Sequence, residues 1–494
     1  MRRLNIEVNL DNLIYNLEEL RKIKGCGENV IPTVKGNAYN VGVYSVVKKL
    51  LNIKNPQKKY CVFALKEGIE LRKFFPEIEN IFILNGILSG DEKYFKEFNL
   101  TPVVNSFKQL EDANKAKICD IAIQFNTGMN RSGINLNEIE KVKKYIDDNK
   151  INVVMVMSHF CCADDKSSKV NEIQIKNFKK VCGYFSEEKI LKALSASDGA
   201  FNFAGDGVSN ACRPGLALYG YYDGLKPVYS IKSYIESDGT NLFLPIGIAN
   251  GFTSHYGDGN AYVLYNGVRI FVDSVEKNKI VLDTNDKSLI NKEVVLLGGS
   301  ISYQDFEKMC GTDIRDIIAK LFANTDADLK DFYTNVERIR NVEDDSIFRA
   351  EVKIKAGELK HFYSTILEKR IVECDGVVGY GATENVKKGD TLATFFGGYI
   401  DGIGRAISNK HCTVFVENND GKLVECEIFG KVSMDQTTIK VPKEEFDNIK
   451  IGAKVILFDS DSDIEKFEKN TGLSKDELFF LMGKSKRIKN LTNN

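Results

Sequence analysis

The sequence predicts an α/β TIM barrel, a (β/α)8 fold, followed by two tandem and mainly antiparallel β domains. Over residues 1–225, short β-rich runs alternate with amphipathic helical segments, which is the pattern of a parallel barrel. From residue 226 the β runs alternate instead with Gly, Asn and Asp turns, which is typical of antiparallel sheets. Four segments of residues 226–343 also resemble four segments of residues 344–494 in the same order, so we interpret these regions as copies of one domain.

The predicted barrel contains eight β/α units. Helical segments such as Leu13–Lys22 and Glu138–Asn149 carry apolar residues at steps of three and four, as amphipathic helices do. The first ten or so residues are counted with the barrel, but they are also candidates for a place in a β domain. The predicted strands are Asn29–Val34, Tyr60–Leu65, Asn80–Leu84, Pro102–Val104, Asp120–Phe125, Val153–His159, Leu191–Ser195 and Cys212–Leu218.

The two β copies are predicted at residues 226–343 (the first copy) and 344–494 (the second copy). The matched pairs are Pro245–Phe252 with Phe396–Ile403, Arg269–Asp273 with Lys431–Asp435, Glu293–Leu297 with Lys454–Phe458, and Arg338–Asn341 with Arg487–Asn490. The first copy has Ile248 where the second has Tyr399, and Val272 where the second has Met434. We therefore expect the second copy to carry the chemical groups and the first copy to be structural.

Charge and composition exclude several classes of function. Lys and Arg number 68 against 69 Asp and Glu, a net charge of -1, so nothing points to nucleic acid or an anionic membrane as a partner. No apolar run approaches the roughly 20 residues that span a bilayer, and the N-terminus lacks the apolar stretch of a secretion signal. We therefore expect a cytoplasmic protein. Its eleven cysteines are scattered, which favours reduced thiols, and its four histidines form no ligand-spaced cluster, so no metal site is predicted.

Lys35 ends the first predicted barrel strand. TIM barrels place their catalytic groups at the carboxyl ends of the strands. A lysine that is partly desolvated there is able to form a Schiff base with a carbonyl group, although most lysines are simply solvated surface charges.

The segment Val34–Tyr39 (VKGNAY) with Gly42 resembles the cofactor-lysine motif of the alanine racemase family. Further segments resemble other motifs of this family in the same order along the chain. They are Asn126–Gly133 (NTGMNRSG), Met157–Phe160 with Ala163–Asp164, Ser195–Ala196, Arg213–Gly220 (RPGLALYG), Val378–Thr383 (VGYGAT), Gly398–Gly402 (GYIDG) and Gly430–Gln436 (GKVSMDQ). The resemblance covers the barrel and the second copy but not the first copy.

The resemblance implies an amino-acid racemase that uses pyridoxal 5'-phosphate, with L- and D-alanine as the favoured substrates. Lys35 would hold the cofactor and act as the base on one face of the substrate's α-carbon. Tyr380 would act on the opposite face, because racemisation removes a proton on one side and returns it on the other. Arg213 would hydrogen-bond the pyridine nitrogen and, being protonated, keep that nitrogen neutral, which favours return of the proton to the α-carbon.

The resemblance also assigns residues to the rest of the cofactor. Its phosphate would be bound by Tyr39, Ser195 and the backbone amides of Gly215 and Leu216. His159 would pack near the cofactor ring, although a satisfied core histidine is an equally good interpretation of that residue.

Three further residues are assigned to the substrate end of the pocket. Arg131 would contact the cofactor phenolate and orient the substrate carboxylate, since its planar guanidinium suits oxygen acceptors. Tyr399 and Met434 would line the entrance and the carboxylate end. In this family the β domain of one subunit caps the barrel of its partner, so a homodimer is expected, but the sequence does not say which barrel the second copy reaches in this longer chain.

Several positions depart from the family pattern. Gln124 and Asn126 replace the usual lysine and aspartate near the Arg131 loop, and Leu191 and Leu194 replace a histidine and an asparagine that would support Arg213. The glycine-histidine pair after Tyr39 is Asn40-Val41, and a phosphate-contacting tyrosine falls on Thr492 or is missing.

These departures leave alternatives open. One is a racemase of the same architecture that acts on another amino acid, such as serine, lysine or ornithine. A less favoured one is a non-catalytic protein that binds pyridoxal phosphate, with the duplicated β domain as a ligand or partner module.

Overall fold

The computed structural model describes residues 4–27, 29–203, 205–311, 313, 315, 349, 351–355, 358–471 and 489–492. It begins with strand β1 (Leu4–Val8), which lies outside the barrel. Among the helices in these ranges, none combines the length and the apolar character that crossing a bilayer requires.

The predicted TIM barrel is confirmed. Six parallel strands form a continuous sheet in chain order, and single bridges at Val30–Cys212 and Thr33–Cys61 extend it on both sides of residues 30–33. The backbone amide of Arg213 donates to Ser195 O at 3.0 Å, which completes the ring. The six strands are β2 (Lys59–Val62), β3 (Asn80–Ile83), β4 (Thr101–Val104), β5 (Asp120–Gln124), β6 (Asn152–Met157) and β7 (Leu191–Ala193).

Helices alternate with the barrel strands as the apolar periodicity predicts. In the first of them, Leu13, Leu17 and Leu20 recur on one face and are fully buried. Asn9 begins that helix by accepting hydrogen bonds from the amides of Asp11 and Asn12, since these amides have no partner within the helix. The barrel helices are Leu10–Arg21, Val43–Leu51, Leu65–Phe74, Glu92–Glu97, Phe107–Lys115, Ile139–Asn149, Lys169–Tyr184 and Ser197–Asn202.

The predicted eighth strand, Cys212–Leu218, is wrong beyond its first residue. Cys212 bridges to Val30, but Leu216–Tyr219 forms a turn of 3-10 helix. Pro214 has no amide hydrogen with which to extend a ladder, and Gly215 leaves the extended conformation at φ -109 and ψ -85. The chain therefore turns at the barrel end, where it lines the cavity described below.

The first copy is an antiparallel sheet that incorporates the start of the chain. Strand β1 pairs antiparallel with β8 over all five of its residues. The sheet order is β1-β8-β14-β11-β12-β13-β10-β9, and a helix follows at Tyr303–Cys310. Its strands are β8 (Tyr229–Tyr234), β9 (Glu236–Ser237), β10 (Leu242–Leu244), β11 (Tyr262–Tyr265), β12 (Val268–Val275), β13 (Ile280–Leu282) and β14 (Glu293–Leu297).

The second copy has the same strand order over six strands. The order β8-β14-β11-β12-β13-β10 corresponds to β16-β23-β20-β21-β22-β19, and pairing of β19 with β16 closes the second sheet on itself. A helix follows at Asp461–Thr471. The strands are β15 (Glu351–Lys355), β16 (Glu358–Ile371), β17 (Gly376–Val378), β18 (Glu384–Val386), β19 (Thr391–Phe396), β20 (Thr413–Glu417), β21 (Leu423–Ile428), β22 (Gln436–Lys440), β23 (Lys454–Phe458) and β24 (Lys489–Thr492).

Of the four predicted segment pairs, the turn after β10 and β19 is the most similar in shape between the copies. In both copies a glycine amide donates to the side-chain oxygen three residues later, Gly247 to Asn250 and Gly398 to Asp401. Glu293–Leu297 and Lys454–Phe458 are corresponding strands.

The second predicted pair is out of register. Arg269–Asp273 lies within β12, whereas Lys431–Asp435 lies in the loop between β21 and β22. Val272 is therefore not the counterpart of Met434, because the first copy has a short turn near Glu276–Lys279 at that place in the fold. Arg338–Asn341 and Arg487 lie outside the described residues.

The buried apolar residues form two main clusters, and the larger one spans both the barrel and the first copy. One cluster runs without interruption from Leu13 in the barrel to Cys310 in the first copy. A second cluster belongs to the second copy and takes in Phe63, Ala64 and Leu88 from the barrel. The barrel and first copy thus share one core, and the second copy packs against them.

Candidate active site

A cavity lies at the carboxyl ends of the barrel strands, beneath the second copy. Ten of the eleven predicted site residues line it, all except Ser195. They are Lys35, Tyr39, Arg131, His159, Arg213, Gly215, Leu216, Tyr380, Tyr399 and Met434. Residues from three regions of the chain that are distant in sequence therefore meet at the end of the barrel where this fold places its chemistry.

Lys35 is held by an unusual backbone segment. The next five residues, Gly36–Asn40, all have positive φ, between 54° and 66°, a conformation that costs non-glycine residues about 1–2 kcal/mol each. Side chains support this turn, since the Gly36 amide donates to Glu67 at 2.6 Å and the Val43 amide donates to Asn37 at 3.0 Å. Strain of this kind persists where the surroundings fix it, often at functional sites.

The side chain of Lys35 forms an ion pair with Asp435 of the second copy. Both side chains are largely buried, at 15% and 4% exposure, so the carboxylate is well placed to compensate the lysine charge. Asp435 was missed as a site residue, although it directly follows Met434 in a segment that was singled out.

Tyr380 faces three basic side chains. Its hydroxyl lies 2.8 Å from Nε2 of His159, and the Arg131 guanidinium lies 5.0 Å from the centre of its ring. Burial by itself would raise the pKa of Tyr380, but the charges of Arg131 and Lys35 outweigh burial, so that the pKa is lowered overall. Burial, together with the neighbouring cations, lowers the pKa of His159 well below its usual value, which keeps this imidazole neutral.

Two arginines of the cavity present buried Nε donors that are unpaired among the described residues. Arg213 is 5% exposed and donates through Nη2 to the backbone carbonyl of Ser158, while burial lowers its pKa. Its Nε and the Nε of Arg131 have no hydrogen-bond partner among the described residues. A buried donor without an acceptor is costly, so both side chains fit a bound molecule that offers acceptor atoms.

The opposite end of the cavity is narrow. A Cβ atom on Gly215 would lie 2.1 Å from the hydroxyl of Tyr39, so glycine is needed for that close approach. Ser197 lines the cavity here, and its hydroxyl accepts from the amides of Gly215 at 3.2 Å and Ala217 at 3.1 Å. Ser195 is buried nearby and does not line the cavity, so Ser197 is the serine at this end that the family motifs did not reveal.

The entrance carries a charged cluster that includes residues next to the first copy. Asp313 forms ion pairs with Arg315 and with Arg405 of the second copy, and Arg405 lies over the ring of Tyr399 at 5.4 Å. Burial opposes ionisation of Asp313, but the two arginines outweigh it and lower its pKa to about 2. Asp313 and Arg315 lie outside the segments that resemble family motifs, which is why the sequence did not reveal them.

The departures from the family pattern have local explanations. Gln124 lines the cavity and donates to Ser132 O at 3.3 Å. Asn126 accepts from the amides of Gly128 and Asn130 and so shapes the loop that carries Arg131. Leu194 is fully buried, and the support for Arg213 comes from the Ser158 carbonyl instead. Thr492 lies in β24, where it pairs with Ile354.

Comparison with known proteins agrees with this arrangement. Residues 8–223 match the family profile described as alanine racemase, N-terminal domain, and residues 360–491 match that described as alanine racemase, C-terminal domain. The alanine racemase of Rickettsia africae is 26% identical over 348 residues, which cover 64% of this chain and 96% of that protein. That of Rickettsia prowazekii is 33% identical over 243 residues, or 48% of this chain and 58% of that protein.

Solved structures agree in fold. The alanine racemase of Bartonella henselae, which carries covalently bound pyridoxal phosphate, aligns with a TM-score of 0.57 at 22% identity over 64% of this chain and 96% of its own. That of Acinetobacter baumannii gives 0.57 at 24% identity over 65% and 98%. With both family profiles matched in order on the barrel and the second copy, the chain belongs to the alanine racemase family.

Proposed function

We propose that this protein is a pyridoxal-phosphate-dependent racemase that interconverts L- and D-alanine by proton transfer at Lys35 and Tyr380. The observation that carries the proposal is the meeting of these two groups in one cavity, with Lys35 supplied by the barrel and Tyr380 by the second copy. The curated relatives that match this chain are named alanine racemases, which supports alanine as the substrate.

The residues present suit pyridoxal phosphate. Lys35 offers the amine that would hold it, and Arg213 offers the unpaired buried Nε for its ring nitrogen. Tyr39, Ser197 and Gly215 form the narrow end suited to a phosphate. The chemistry that this cofactor supplies when bound is electron withdrawal from the substrate's α-carbon, which makes the α-hydrogen acidic.

The protein's own residues then control the proton. Arg131 favours the ionised form of Tyr380, so this phenol can accept a proton at a lower pH than an ordinary tyrosine. His159 stays neutral and holds the Tyr380 hydroxyl by its hydrogen bond of 2.8 Å. Arg213 donates rather than accepts, which keeps electron density at the α-carbon and favours return of the proton there.

The test is exchange of the α-hydrogen into deuterated water across a panel of L- and D-amino acids, with the mass of each amino acid as the readout. We expect alanine to exchange fastest. A faster exchange of serine, lysine or ornithine would reassign the substrate, and no exchange with any of them would favour the non-catalytic alternative.

Tyr380→Phe tests the mechanism with the same assay. We expect racemisation to fall by at least about a hundredfold in both directions, the lower end of what a positioned acid/base contributes. Tyr363→Phe is the matched control, because it removes a tyrosine hydroxyl from the same domain at a site where its partner is Asp459. Unchanged racemisation in Tyr380→Phe would contradict the two-base assignment.

A further inference from the structure

We propose that this chain completes its active site in cis, with the second copy capping the barrel of its own polypeptide rather than that of a partner. This inference goes beyond the proposed activity. The first of its two tests, which measures racemisation, rests on the proposed function. The inference concerns how the site is assembled, and it departs from the exchange between subunits that the family resemblance implied.

Backbone hydrogen bonds join the second copy to the barrel loops of the same chain. The Gly379 amide donates to Met129 O at 3.0 Å, and the Gly381 amide donates to Cys161 O at 2.7 Å. Asn130 donates through its side chain to Val377 O at 2.9 Å. These contacts flank Tyr380 on both sides, so they fix its position over the barrel.

Buried charges cross the same boundary. Arg370 is 7% exposed, pairs with Glu368 of its own strand, and donates to Gly133 O of the barrel at 2.9 Å. Lys35 and Asp435 form the second buried pair. Charges in such positions are destabilising when they lose a partner, so these contacts favour a second copy that stays on this barrel.

Apolar packing continues the contact. Phe63 of the barrel lies 6.0 Å from Phe396, centre to centre, and belongs with Ala64 and Leu88 to the core of the second copy. The boundary therefore combines a shared apolar core with buried polar contacts, as interfaces between permanently associated parts of a protein do.

The first copy explains how one chain can achieve this. The first copy packs against the barrel through their common core, and the β1–β8 ladder ties the start of the chain to its sheet. The second copy is therefore left to cover the carboxyl end of the barrel. Both flanks of the segment between the copies form ion pairs across this boundary. Asp313 pairs with Arg405 on one side, and Arg349 pairs with the buried Asp91 of the barrel on the other.

Co-expression of two inactive variants tests the assembly. Lys35→Ala lacks the barrel base, and Tyr380→Phe lacks the base of the second copy. If copies were exchanged between chains, mixed dimers would contain one intact site, and about a quarter of the wild-type activity would return by random pairing. We expect no more than the sum of the two variants expressed separately, and a return of activity would overturn the proposal.

A cross-link gives a readout that does not depend on activity. Glu373 of the second copy and Asn137 of the barrel line the same cleft. We would place cysteines at both positions, with Cys374→Ser to remove the neighbouring exposed thiol, and treat the holoenzyme with a short bis-maleimide. We expect an internally linked single chain on a denaturing gel, whereas a product of twice the chain mass, or no product, would overturn the inference. The same protein without Glu373→Cys is the control.

The two experiments separate the two proposals. If the wild-type protein racemises no amino acid, the proposed function fails and the cross-link still decides how the second copy is placed. If the protein is an active racemase whose link joins two chains, the assembly in cis fails alone.

Discussion

At the scale of single residues, the chemistry of the cavity is set by how few anions balance its cations. Lys35, Arg131, Arg213 and Arg405 all line it, with Asp435 and Asp198 among the acidic groups there. The phenol of Tyr380 lies within this positive field, and the field lowers its pKa although burial alone would raise it. A general base works best when its pKa lies near the working pH. The neighbouring positive charges bring the pKa of Tyr380 towards that range.

Arg131→Gln tests this electrostatic role. Removing the positive charge that lies 5.0 Å from the ring centre should raise the pKa of Tyr380, since this charge now holds the pKa below its ordinary value. The rise of kcat/KM with pH that reports the phenolate should therefore move to higher pH. The pH profile of racemisation measures the shift.

Lys410→Gln is the control for that experiment, because it removes the same charge from an exposed position of the second copy. A profile that moves equally in both variants, or in neither, would mean that Arg131 does not act on Tyr380 through its charge.

The residues that the sequence revealed are those within short contiguous motifs. Lys35, Tyr380 and Arg213 fall into this class, and each lines the cavity. Asp435, Ser197 and Asp313 were missed, because their significance arises from partners far away in the chain. Asp313 is a clear case, since its partner Arg405 in the second copy lies 92 residues further along the chain.

At the scale of elements, the close contact between the turn at Gly215 and the left-handed turn at Tyr39 determines the narrow end of the cavity. Gly215→Ala would push a methyl group to 2.1 Å from the Tyr39 hydroxyl, so one of the two elements must move. We expect the affinity for pyridoxal phosphate to fall by at least about tenfold, equivalent to about 1.4 kcal/mol, as measured by titration of the cofactor absorbance.

Gly183→Ala is the matched control for this substitution. Gly183 lies in the helix Lys169–Tyr184 and is exposed, and a Cβ atom added to it would have no other atom within 4 Å. The change should leave cofactor affinity as it is and stabilise the helix by up to about 1 kcal/mol. Equal cofactor affinity in the two variants would contradict the role of Gly215.

A second prediction at this scale concerns Asp313, which joins the end of the first copy to Arg405. Because the folded-state pKa of about 2 lies below the usual 3.8, the ion pairs contribute stability above about pH 4, and the contribution is lost as the pH falls towards 2. Asp313→Asn should reduce the free energy of unfolding at pH 7 by about 2 kcal/mol. Urea unfolding followed by circular dichroism measures the loss, and the difference from wild type should narrow between pH 5 and pH 3.

The control is Asp283→Asn, at an exposed position of the same copy, for which we expect less than about 0.5 kcal/mol. A loss in Asp313→Asn that is the same at pH 3 and pH 7 would show that charge pairing is not its cause.

The elements that the sequence predicted correctly are those with strong periodicity. The β/α alternation predicted six barrel strands to within one or two residues at most ends, because each strand is apolar and each helix carries an apolar stripe. It failed at Cys212–Leu218, where Pro214 and Gly215 override an apolar run. The repeat comparison also matched Arg269–Asp273 to a loop, because short similar segments do not report the hydrogen-bonding partners that define a strand.

At the scale of the whole molecule, the chain consists of two bodies whose cores meet where Phe63, Ala64 and Leu88 of the barrel pack into the second copy. The barrel and first copy share one continuous cluster, whereas the second copy has its own. This division was not predictable from the sequence, since the duplication alone does not say which copy joins which surface. It follows from the β1–β8 ladder, which commits the N-terminus of the chain to the first copy.

This division leads to a last prediction, that a chain ending at residue 348 still folds. Its core contains no residue of the second copy, and a unit with its own core can fold by itself. We expect one cooperative unfolding transition by circular dichroism and retention of the cofactor absorbance that depends on Lys35. We also expect no exchange of the α-hydrogen of alanine, because Tyr380 is gone.

The matched control removes residues 1–8 instead, which deletes β1 and exposes the edge of β8. This variant should unfold at a lower urea concentration than the full chain. If the chain ending at residue 348 lacks a cooperative transition, the second copy is required for folding of the barrel and the two bodies are not independent.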